Sequence, residues 1–388
     1  MDSEIETSKF SNNNQKLIKN ENFKYLIKLF IILIVSFNLI DIIINLIIFN
    51  FSKKSNMKFE NMFLKFKNDT NKAIYSLKQS MKIKEFNEVI NEEYRQKQNR
   101  FCNNISSYLN QDFENKIKLA KVIFNNISYI MYIYKENDLV SNSINKEYSY
   151  EKNETYNIIN GINFYSKKKD LINKDIYIID VGGNIGWYTF LLGKHGYNVI
   201  SFEPLKMNYY ILNKNYCLNK EVNVTLINKG LFPEEKRCYI YSPENNIGDG
   251  ITNCNQNILE NSVNNGEIIL TKLSNYLSFF ENKHLAMIKT DIEGLEGKAF
   301  ESGIEFITNY HVPFIFMEFN PKYLSDYGTN PQEFLEIFIN NGYKISLLNF
   351  FEKNIYDIKF LIETTRNLYL TYIPFINYKL ILLFLIII

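Results

Sequence analysis

Two short polar segments of this 388-residue chain have the spacing of a ligand pocket at the edge of a parallel sheet. The first is the glycine-rich turn at residues 180–186, which follows an apolar run. The second is Glu203, which ends the next apolar run about twenty residues later. Glycines let the backbone approach a ligand closely, and an acid on the neighbouring strand accepts hydrogen bonds from ribose hydroxyls. The two segments therefore predict a nucleoside pocket in which Glu203 accepts both ribose hydroxyls.

The glycine spacing excludes two common nucleotide-binding turns. A dinucleotide fold needs Gly-x-Gly-x-x-Gly and a P-loop needs Gly-Lys-Ser/Thr, and residues 180–186 supply neither. Here glycines stand two and six positions after the acid, with Asn184 between them. This pattern resembles the first motif of class I S-adenosylmethionine methyltransferases. The pair Trp187-Tyr188 and the Phe-Glu-Pro at 202–204 make the segment similar to the FkbM-type family.

Two later blocks support the same resemblance. Residues 287–296 read Met-Ile-Lys-Thr-Asp-Ile-Glu-Gly-Leu-Glu, which is similar to the family's Lys-Ile-Asp-Val-Glu-Gly-Phe-Glu segment, with Thr290 and Leu295 as departures. Residues 313–318 match the family's strand that ends in Glu. The resemblance covers about residues 150–374, and three ordered blocks are far more specific than one glycine turn.

The resemblance implies a fold and a cofactor. The fold class is α/β, a Rossmann-like class I methyltransferase sheet that is mostly parallel, has about seven strands and carries helices on both faces. The alternation of strand and helix signals independently favours a parallel sheet. Strands are predicted near 175–181, 198–203, 222–228, 285–291, 313–319, 343–348 and 367–373, and a helix at 331–341.

The implied cofactor is S-adenosyl-L-methionine. Its predicted binding residues come from the glycine turn, the following acid and the end of the third strand: Asp180, Gly182, Asn184, Gly186, Glu203 and Asn228. In this assignment the Asp180 carboxylate suits the methionine ammonium, directly or through water. Asn228 is expected to reach the adenine.

Three further acids are the candidate catalytic residues. Asp291, Glu293 and Glu318 stand at predicted carboxyl ends of strands, where ligands bind in an open parallel sheet. Methyl transfer needs an oxygen aligned with the methyl carbon and a group that removes a proton. We expect Asp291 to be the base or orienting residue, with Glu293 and Glu318 contacting the substrate.

The sequence also allows other roles for these acids. The Asp-x-Glu-Gly turn at 291–294 can cap the following helix, and both roles can hold together. A divalent cation on Asp291 and Glu318 is compatible with their oxygen ligands, but the reaction does not require one and no metal is expected. The three histidines precede predicted strands and are therefore expected at the opposite edge of the sheet.

The overall function predicted is methylation of a hydroxyl on a glycan, a lipid-linked sugar or a small metabolite. One alternative is a nicotinamide-dependent oxidoreductase on a similar fold, and another is a catalytically silent membrane scaffold. A net charge of +2, from 44 basic and 42 acidic residues, offers no basic field, so no nucleic-acid partner is expected. Residues 245–250 are predicted to form a flexible loop that closes over the substrate.

The N-terminal part of the chain predicts membrane attachment. Residues 25–51 are expected to form a transmembrane or signal-anchor helix, because 29–51 are almost wholly apolar. Asn38, Asp41 and Asn45 share one helical face, which suggests helix–helix self-association in the membrane. The expected location is a single-pass endomembrane protein. Lysines flank the segment on both sides, so the side of the catalytic domain stays open.

The remaining boundaries complete the expected organisation. Residues 1–24 are predicted to be a disordered tail, 52–150 a helical stem with bracing helices, 151–374 the FkbM-type domain, and 375–388 an apolar tail. The four cysteines are widely spaced and are expected to be buried free thiols. Six Asn-x-Ser/Thr sequons, at Asn50, 68, 104, 126, 153 and 223, occur at about chance frequency and decide nothing alone.

Overall fold

The computed structural model describes residues 92–254 and 262–376. The tail at 1–24, the anchor predicted at 25–51 and all but the first two residues of the apolar tail at 375–388 lie outside the described residues, as does the first part of the stem. Within the described part, no helix has both the length and the apolar character needed to cross a bilayer.

Three sheets contain the strands of the described residues. In chain order the strands are β1 (Ile117–Phe124), β2 (Ile127–Tyr134), β3 (Ile176–Val181), β4 (Asn198–Phe202), β5 (Val224–Ile227), β6 (Gly230–Leu231), β7 (Lys236–Pro243), β8 (Ile251–Asn253), β9 (Ser262–Thr271), β10 (His284–Thr290), β11 (Phe314–Phe319), β12 (Tyr343–Ser346) and β13 (Arg366–Tyr372).

The main sheet contains all seven strands that the sequence predicted, in the order β12-β13-β11-β10-β3-β4-β5. The four pairs from β11 to β5 are parallel, whereas β13 is antiparallel to both of its neighbours. This confirms the predicted mostly parallel α/β sheet. These strands were predictable because a sheet covered on both faces needs nearly continuous apolar runs.

Helices cover both faces of the main sheet. Residues 92–103 form α1, and the others are α2 (Ile105–Tyr108), α3 (Gln111–Glu114), α4 (Leu139–Glu147), α5 (Lys152–Lys169), α6 (Trp187–Lys194), α7 (Lys206–Leu218), α8 (Glu296–Glu301), α9 (Glu305–Thr308), α10 (Pro321–Asp326), α11 (Pro331–Asn340), α12 (Ile358–Leu361) and α13 (Ile373–Ile376). Two 3₁₀ segments, Asn173–Asp175 and Leu273–Phe280, complete the set. The helix predicted at 331–341 is α11, and the Asn330 side chain caps it as expected.

Alternate residues of each central strand enter two different apolar cores. On β3, Ile176 and Ile178 pack into one core, and Ile179 and Val181 into the other. Asp180 therefore faces the first core, beneath the turn that follows the strand.

Helix α1 protects the exposed edge of the main sheet. Among the described residues, β5 is the last strand at this end of the sheet, so one row of its backbone groups faces no strand there. The Gln98 side-chain amide donates to the Val224 carbonyl at 3.3 Å and accepts from the Leu226 N–H at 3.2 Å. One side chain thus forms the two hydrogen bonds that a further strand would make.

The predicted all-helical stem is wrong in part. Residues 117–134 form the antiparallel hairpin β1–β2, although 52–150 were expected to be helical. Burial along β1 follows an approximate two-residue alternation, and the Asn125-Asn126 turn between the strands contains a left-handed Asn125 at φ 50°. Two consecutive asparagines suit such a hairpin turn, because Asn tolerates positive φ better than most residues.

The structure also corrects the expectation of free thiols. Cys102 on α1 is bonded to Cys217 on α7, and Cys238 on β7 is bonded to Cys254 just after β8. Their Cα atoms lie 5.4 and 4.4 Å apart, within the range that disulfides allow. The partners are 115 and 16 residues apart in sequence, so spacing alone could not pair them.

Candidate active site

The glycine-rich turn after β3 brings backbone against the end of β10. Gly182 has φ 81°, and a Cβ built there would lie 2.0 Å from the Asp291 carbonyl oxygen. Only glycine fits this position. Asn184 also has positive φ, at 48°, and its side-chain oxygen accepts from the Ile185 N–H at 2.6 Å. This explains why Asn can replace a glycine in the middle of the turn.

Glu203 connects the turn to the next strand. Its Oε2 accepts from the Asn184 N–H at 2.7 Å, and its Oε1 accepts from the Leu205 N–H at 2.8 Å. The side chain is 5% exposed and lines the cavity above the turn. Burial raises its pKa to about 8. One acceptor site is used on each oxygen, which leaves the carboxylate able to accept two more hydrogen bonds, the number that two ribose hydroxyls would donate.

Three of the residues predicted to bind the cofactor lie behind the cavity wall. Asp180 is 1% exposed and accepts from the Thr189 hydroxyl at 2.6 Å, whereas Gly186 begins α6 against the Phe190 ring. The Asn228 amide donates to the carbonyls of Glu203 and Pro204, at 2.8 and 3.2 Å. None of the three lines the cavity, so their contacts with the cofactor stay a prediction. They support the wall that Gly182, Asn184 and Glu203 form.

The cavity has a volume of about 310 Å³ and has two chemically different ends. Beyond Glu203 its wall is mainly apolar, formed by Phe202, Pro204, Leu231, Ile240 and Leu270. This end suits a flat, weakly polar ring such as adenine. The opposite end, near the close of β10 and β11, is lined mainly by acids.

Residues 245–250, here called the cover loop, lie over the glycine turn. The Gly248 carbonyl accepts from the Asn184 and Asn208 side-chain amides, at 3.2 and 2.8 Å. The Ile247 N–H donates to the Asn137 carbonyl at 2.7 Å. The predicted position over the pocket is therefore correct, but the loop is fixed by hydrogen bonds to the hairpin side of the domain.

The three candidate catalytic acids meet at the acidic end of the cavity. Ligand oxygens of Asp291, Glu293 and Glu318 all lie within 4.8 Å of one another. Burial, followed by the charge of the nearby Asp291, raises the pKa of Glu318 to about 8. Glu318 therefore holds a proton at neutral pH and can donate it to Asp291. A divalent cation could also occupy this set of oxygens.

A second carboxyl pair connects the cover loop to the same acids. The Asp249 carboxyl on the cover loop lies beside that of Glu293, and each affects the pKa of the other. Burial, followed by the charge of Asp249, raises the pKa of Glu293 to about 10, so Glu293 carries the proton of this pair. Glu293 has φ 55°, a backbone conformation that residues other than glycine rarely adopt.

The sequence reasoning missed Lys289, whose ammonium group is buried beside these acids. Lys289 is 3% exposed, and its Nζ donates to the Gly182 carbonyl at 3.2 Å and lies 3.5 Å from Asp291 and 3.7 Å from Asp180. Burial alone would lower its pKa, but Asp291, Asp180 and Glu151 outweigh burial and raise it. The signal was present in sequence, because a residue two before Asp291 on one strand faces the same side.

Glu151 and Tyr188 were also missed as cavity residues. The Tyr188 hydroxyl donates to Glu151 Oε2 at 2.7 Å, and both side chains line the cavity. Glu151 precedes α5 with φ 41°, and burial raises its pKa. No local pattern marks it, since its place opposite Asp291 depends on how α5 packs on the sheet.

Comparison with known families now identifies the domain. Residues 180–345 match the family model described as "Methyltransferase FkbM domain". The chain contains an FkbM methyltransferase domain. The match spans the glycine turn, Glu203 and all three candidate catalytic acids.

The cofactor of the FkbM domain is S-adenosylmethionine, as the sequence resemblance implied. The residues present fit it. Gly182 leaves backbone open towards the cavity, Glu203 has acceptor sites for two ribose hydroxyls, and the apolar end suits adenine. The family match also displaces the alternative of a nicotinamide-dependent oxidoreductase.

Several solved methyltransferase structures have a backbone fold that is partly similar to that of this chain. The bifunctional kinase-methyltransferase WbdD is 10% identical, with a TM-score of 0.33, covering 56% of this chain and 38% of that chain. A T. thermophilus 16S rRNA N2 G1207 methyltransferase, RsmC, in complex with AdoMet and guanosine is 9% identical, with a TM-score of 0.32, covering 66% and 50%. The METTL16 MTase domain is 10% identical, with a TM-score of 0.32, covering 70% and 91%.

These likenesses are too low to carry a statement on activity or substrate. This chain spans about two fifths of the length of WbdD. No curated protein that was searched matches the chain.

The histidines lie away from the FkbM site, as predicted. His195 follows α6, His284 begins β10 and His311 precedes β11, so all three are at the amino-terminal edge of the main sheet. None of them lines the cavity.

Proposed function

We propose that this FkbM domain transfers a methyl group from S-adenosylmethionine to a hydroxyl oxygen, on a glycan, a lipid-linked sugar or a small metabolite. The observation that carries the proposal is the position of Asp291. It faces the same cavity as Glu203, from the end of a strand adjacent to β3, and it has two carboxyl neighbours.

Each residue then has a distinct task. The bound cofactor supplies a methyl carbon activated by its sulfonium. With that cofactor bound, Asp291 would accept the proton of the acceptor hydroxyl whose oxygen takes the methyl group. Lys289 and the protonated Glu318 hold the Asp291 carboxylate in place, and Glu293 and Glu151 are available for other hydroxyls of the acceptor.

The charge of the cavity supports a neutral acceptor. Among the described lining residues, the acids are Glu151, Glu203, Asp249, Asp291, Glu293 and Glu318, and the bases are Lys229 and Lys289. Because Glu203, Glu293 and Glu318 are mainly protonated at neutral pH, the two lysines face the three carboxyls of Glu151, Asp249 and Asp291, and the cavity offers phosphates no surplus of positive charge. A lipid-linked sugar would then keep its phosphate outside the cavity, and the same lack of positive charge supports the proposal that nucleic acid is not a partner.

A polar groove beside the cavity supports a sugar acceptor longer than one residue. Asn367 lines both spaces and pairs directly with Glu318 across β13 and β11, so their side chains lie on one face of the sheet. The groove has a volume of about 620 Å³. Its wall includes amide and tyrosine side chains suited to sugar hydroxyls: Asn153, Tyr156, Asn157, Asn349, Asn367 and Tyr369.

Membrane attachment through residues 25–51 is part of the same proposal. It is supported by the apolar run at 29–51, by its length and by the polar face that suits contact with another helix. The protein would then be a single-pass endomembrane protein whose acceptor is presented at the membrane. Fractionation of cells that express the full chain tests this, since recovery in the soluble fraction would contradict it.

The activity is tested in two steps with the full chain. Calorimetric titration with S-adenosylhomocysteine and, separately, NAD is expected to show binding of S-adenosylhomocysteine alone. Transfer of radiolabelled methyl from S-adenosylmethionine to glycan and lipid extracts then identifies the acceptor. Cofactor binding without methyl transfer to any extract would contradict the proposal and favour a silent scaffold. An Asp291→Asn variant as active as wild type would also contradict the proposal.

A further inference from the structure

All four cysteines of the chain are used in disulfides, and both disulfides connect elements of the catalytic domain. Cys102–Cys217 joins α1 to α7, and Cys238–Cys254 joins β7 to the segment after β8. Both pairs flank structures that form the site, since α7 contains Asn208 beneath the cover loop and the second pair brackets that loop. No cysteine is left as a free thiol.

Complete pairing of scattered cysteines indicates an oxidising compartment. Cytosolic thiols are kept reduced, whereas secreted and lumenal proteins keep such bonds. Each pair requires the loss of two electrons and two protons from two thiols, which a disulfide-donating oxidoreductase of that compartment accepts. This observation is independent of the lysines around residues 29–51, which left the orientation open.

Four of the sequons lie in the described residues, and their surroundings differ. Asn104 is exposed but its amide donates to the Arg100 carbonyl at 3.3 Å. Asn126 and Ser128 are both exposed at the tip of the β1–β2 hairpin, and neither lines the cavity. Asn223, by contrast, is half-buried and its amide is bonded to the Asn198 side chain. A bulky glycan can project from the hairpin tip without disturbing packing, whereas at Asn223 it would break a contact between neighbouring strands.

We infer that the catalytic domain matures on the lumenal side of the membrane and carries an N-linked glycan on Asn126. In that reaction the Asn126 amide nitrogen bonds to the anomeric carbon of a lipid-diphosphate oligosaccharide. The bond from that carbon to the diphosphate breaks, the lipid diphosphate leaves and the amide loses a proton. The inference rests on the membrane insertion proposed for residues 25–51, and it does not depend on the methyl acceptor.

The test uses the full chain expressed in human cells and treated with peptide-N-glycosidase. Wild type is expected to show at least one enzyme-sensitive mobility step, and Asn126→Gln to lose one step. The matched control, Asn223→Gln, is expected to migrate like wild type. A Ser128→Ala variant keeps Asn126 but removes the sequon, so it should behave like Asn126→Gln. Unchanged mobility of both Asn126→Gln and Ser128→Ala would overturn the glycan assignment.

A second measurement tests the compartment without relying on any glycan. Cells are treated with a membrane-permeant alkylating reagent before lysis, and the unreduced protein is analysed by peptide mass spectrometry. Linked Cys102–Cys217 and Cys238–Cys254 peptides are expected. Alkylation of all four cysteines before reduction would place the domain in a reducing compartment and overturn the inference. Binding of S-adenosylhomocysteine, measured on the same protein, reports separately on the proposed function.

Discussion

Replacing Glu203 with alanine tests the proposed cofactor contact most directly. The carboxylate has acceptor sites for two ribose hydroxyls, and each hydrogen bond to a charged group contributes about 1.5–3 kcal/mol. Two such bonds therefore give about 3–6 kcal/mol. Because the pKa of Glu203 is about 8 in the unliganded protein, ionising it at pH 7 costs about 1.4 kcal/mol of this.

The net loss expected for Glu203→Ala is therefore about 1.6–4.6 kcal/mol, or roughly a 15- to 2,000-fold weaker affinity for S-adenosylhomocysteine. Calorimetric titration at pH 7 measures this. Glu363→Ala, which removes an exposed acid after α12, is the control and is expected to bind like wild type. Circular dichroism checks that the variant is folded, since Glu203 also accepts from two backbone N–H groups.

The raised pKa of Glu203 also predicts how the affinity for S-adenosylhomocysteine depends on pH. With a pKa of about 8, about one Glu203 side chain in eleven is ionised at pH 7, and about ten in eleven at pH 9. Affinity for S-adenosylhomocysteine should rise about tenfold over this interval in wild type and much less in Glu203→Gln. A folded Glu203→Ala protein that binds as tightly as wild type would refute the ribose contact.

Three other outcomes are expected. Asp291→Asn should lower turnover by about 100-fold or more while leaving affinity for S-adenosylhomocysteine within about twofold, and loss of that affinity would instead make Asp291 a cofactor ligand. Gly182→Ala should abolish binding and lower the melting temperature, because its Cβ would lie 2.0 Å from a carbonyl oxygen. Gly328→Ala, at φ 74° in open space, should keep binding and lose only about 1–2 kcal/mol of stability. Finally, Glu203 and Glu293 have folded pKa values of about 8 and about 10, raised from 4.5. The folded state thus binds more protons, so its stability should fall as pH rises from about 4.5 through these values. Urea unfolding at pH 5 and pH 8 checks this, and greater stability at pH 8 would contradict it.

The central sheet could be predicted because its strands carry their own signal. Buried parallel strands are continuous apolar runs, and an acid directly after such a run must lie at the ligand edge. Glu203, Asp291 and Glu318 were found by this rule. The second sheet, with the order β6-β9-β7-β8, was not predicted. Its strands are half-exposed and rich in polar residues, as β9 shows, so no continuous run marks them.

Contacts that depend on strand order could not be predicted. Lys289 lies beside Asp180 because β10 pairs with β3, more than a hundred residues earlier in the chain, and that adjacency has no local signature. The two disulfides and the approach of Asp249 to Glu293 likewise depend on how the chain folds and have no local signature. Sequence alone therefore identified the acids of the site. The residues that contact these acids and stabilise their positions, such as Lys289, were found only in the structure.

The Gln98 contact has a practical consequence for shortened versions of this protein. A fragment that begins at residue 151, where the sequence resemblance starts, would lack α1 and leave the outer row of β5 backbone groups facing water. Unpaired strands of this kind recruit strands from other molecules. Such a fragment should self-associate and precipitate even if its glycine turn folds correctly, and a soluble enzyme should require a start before residue 92.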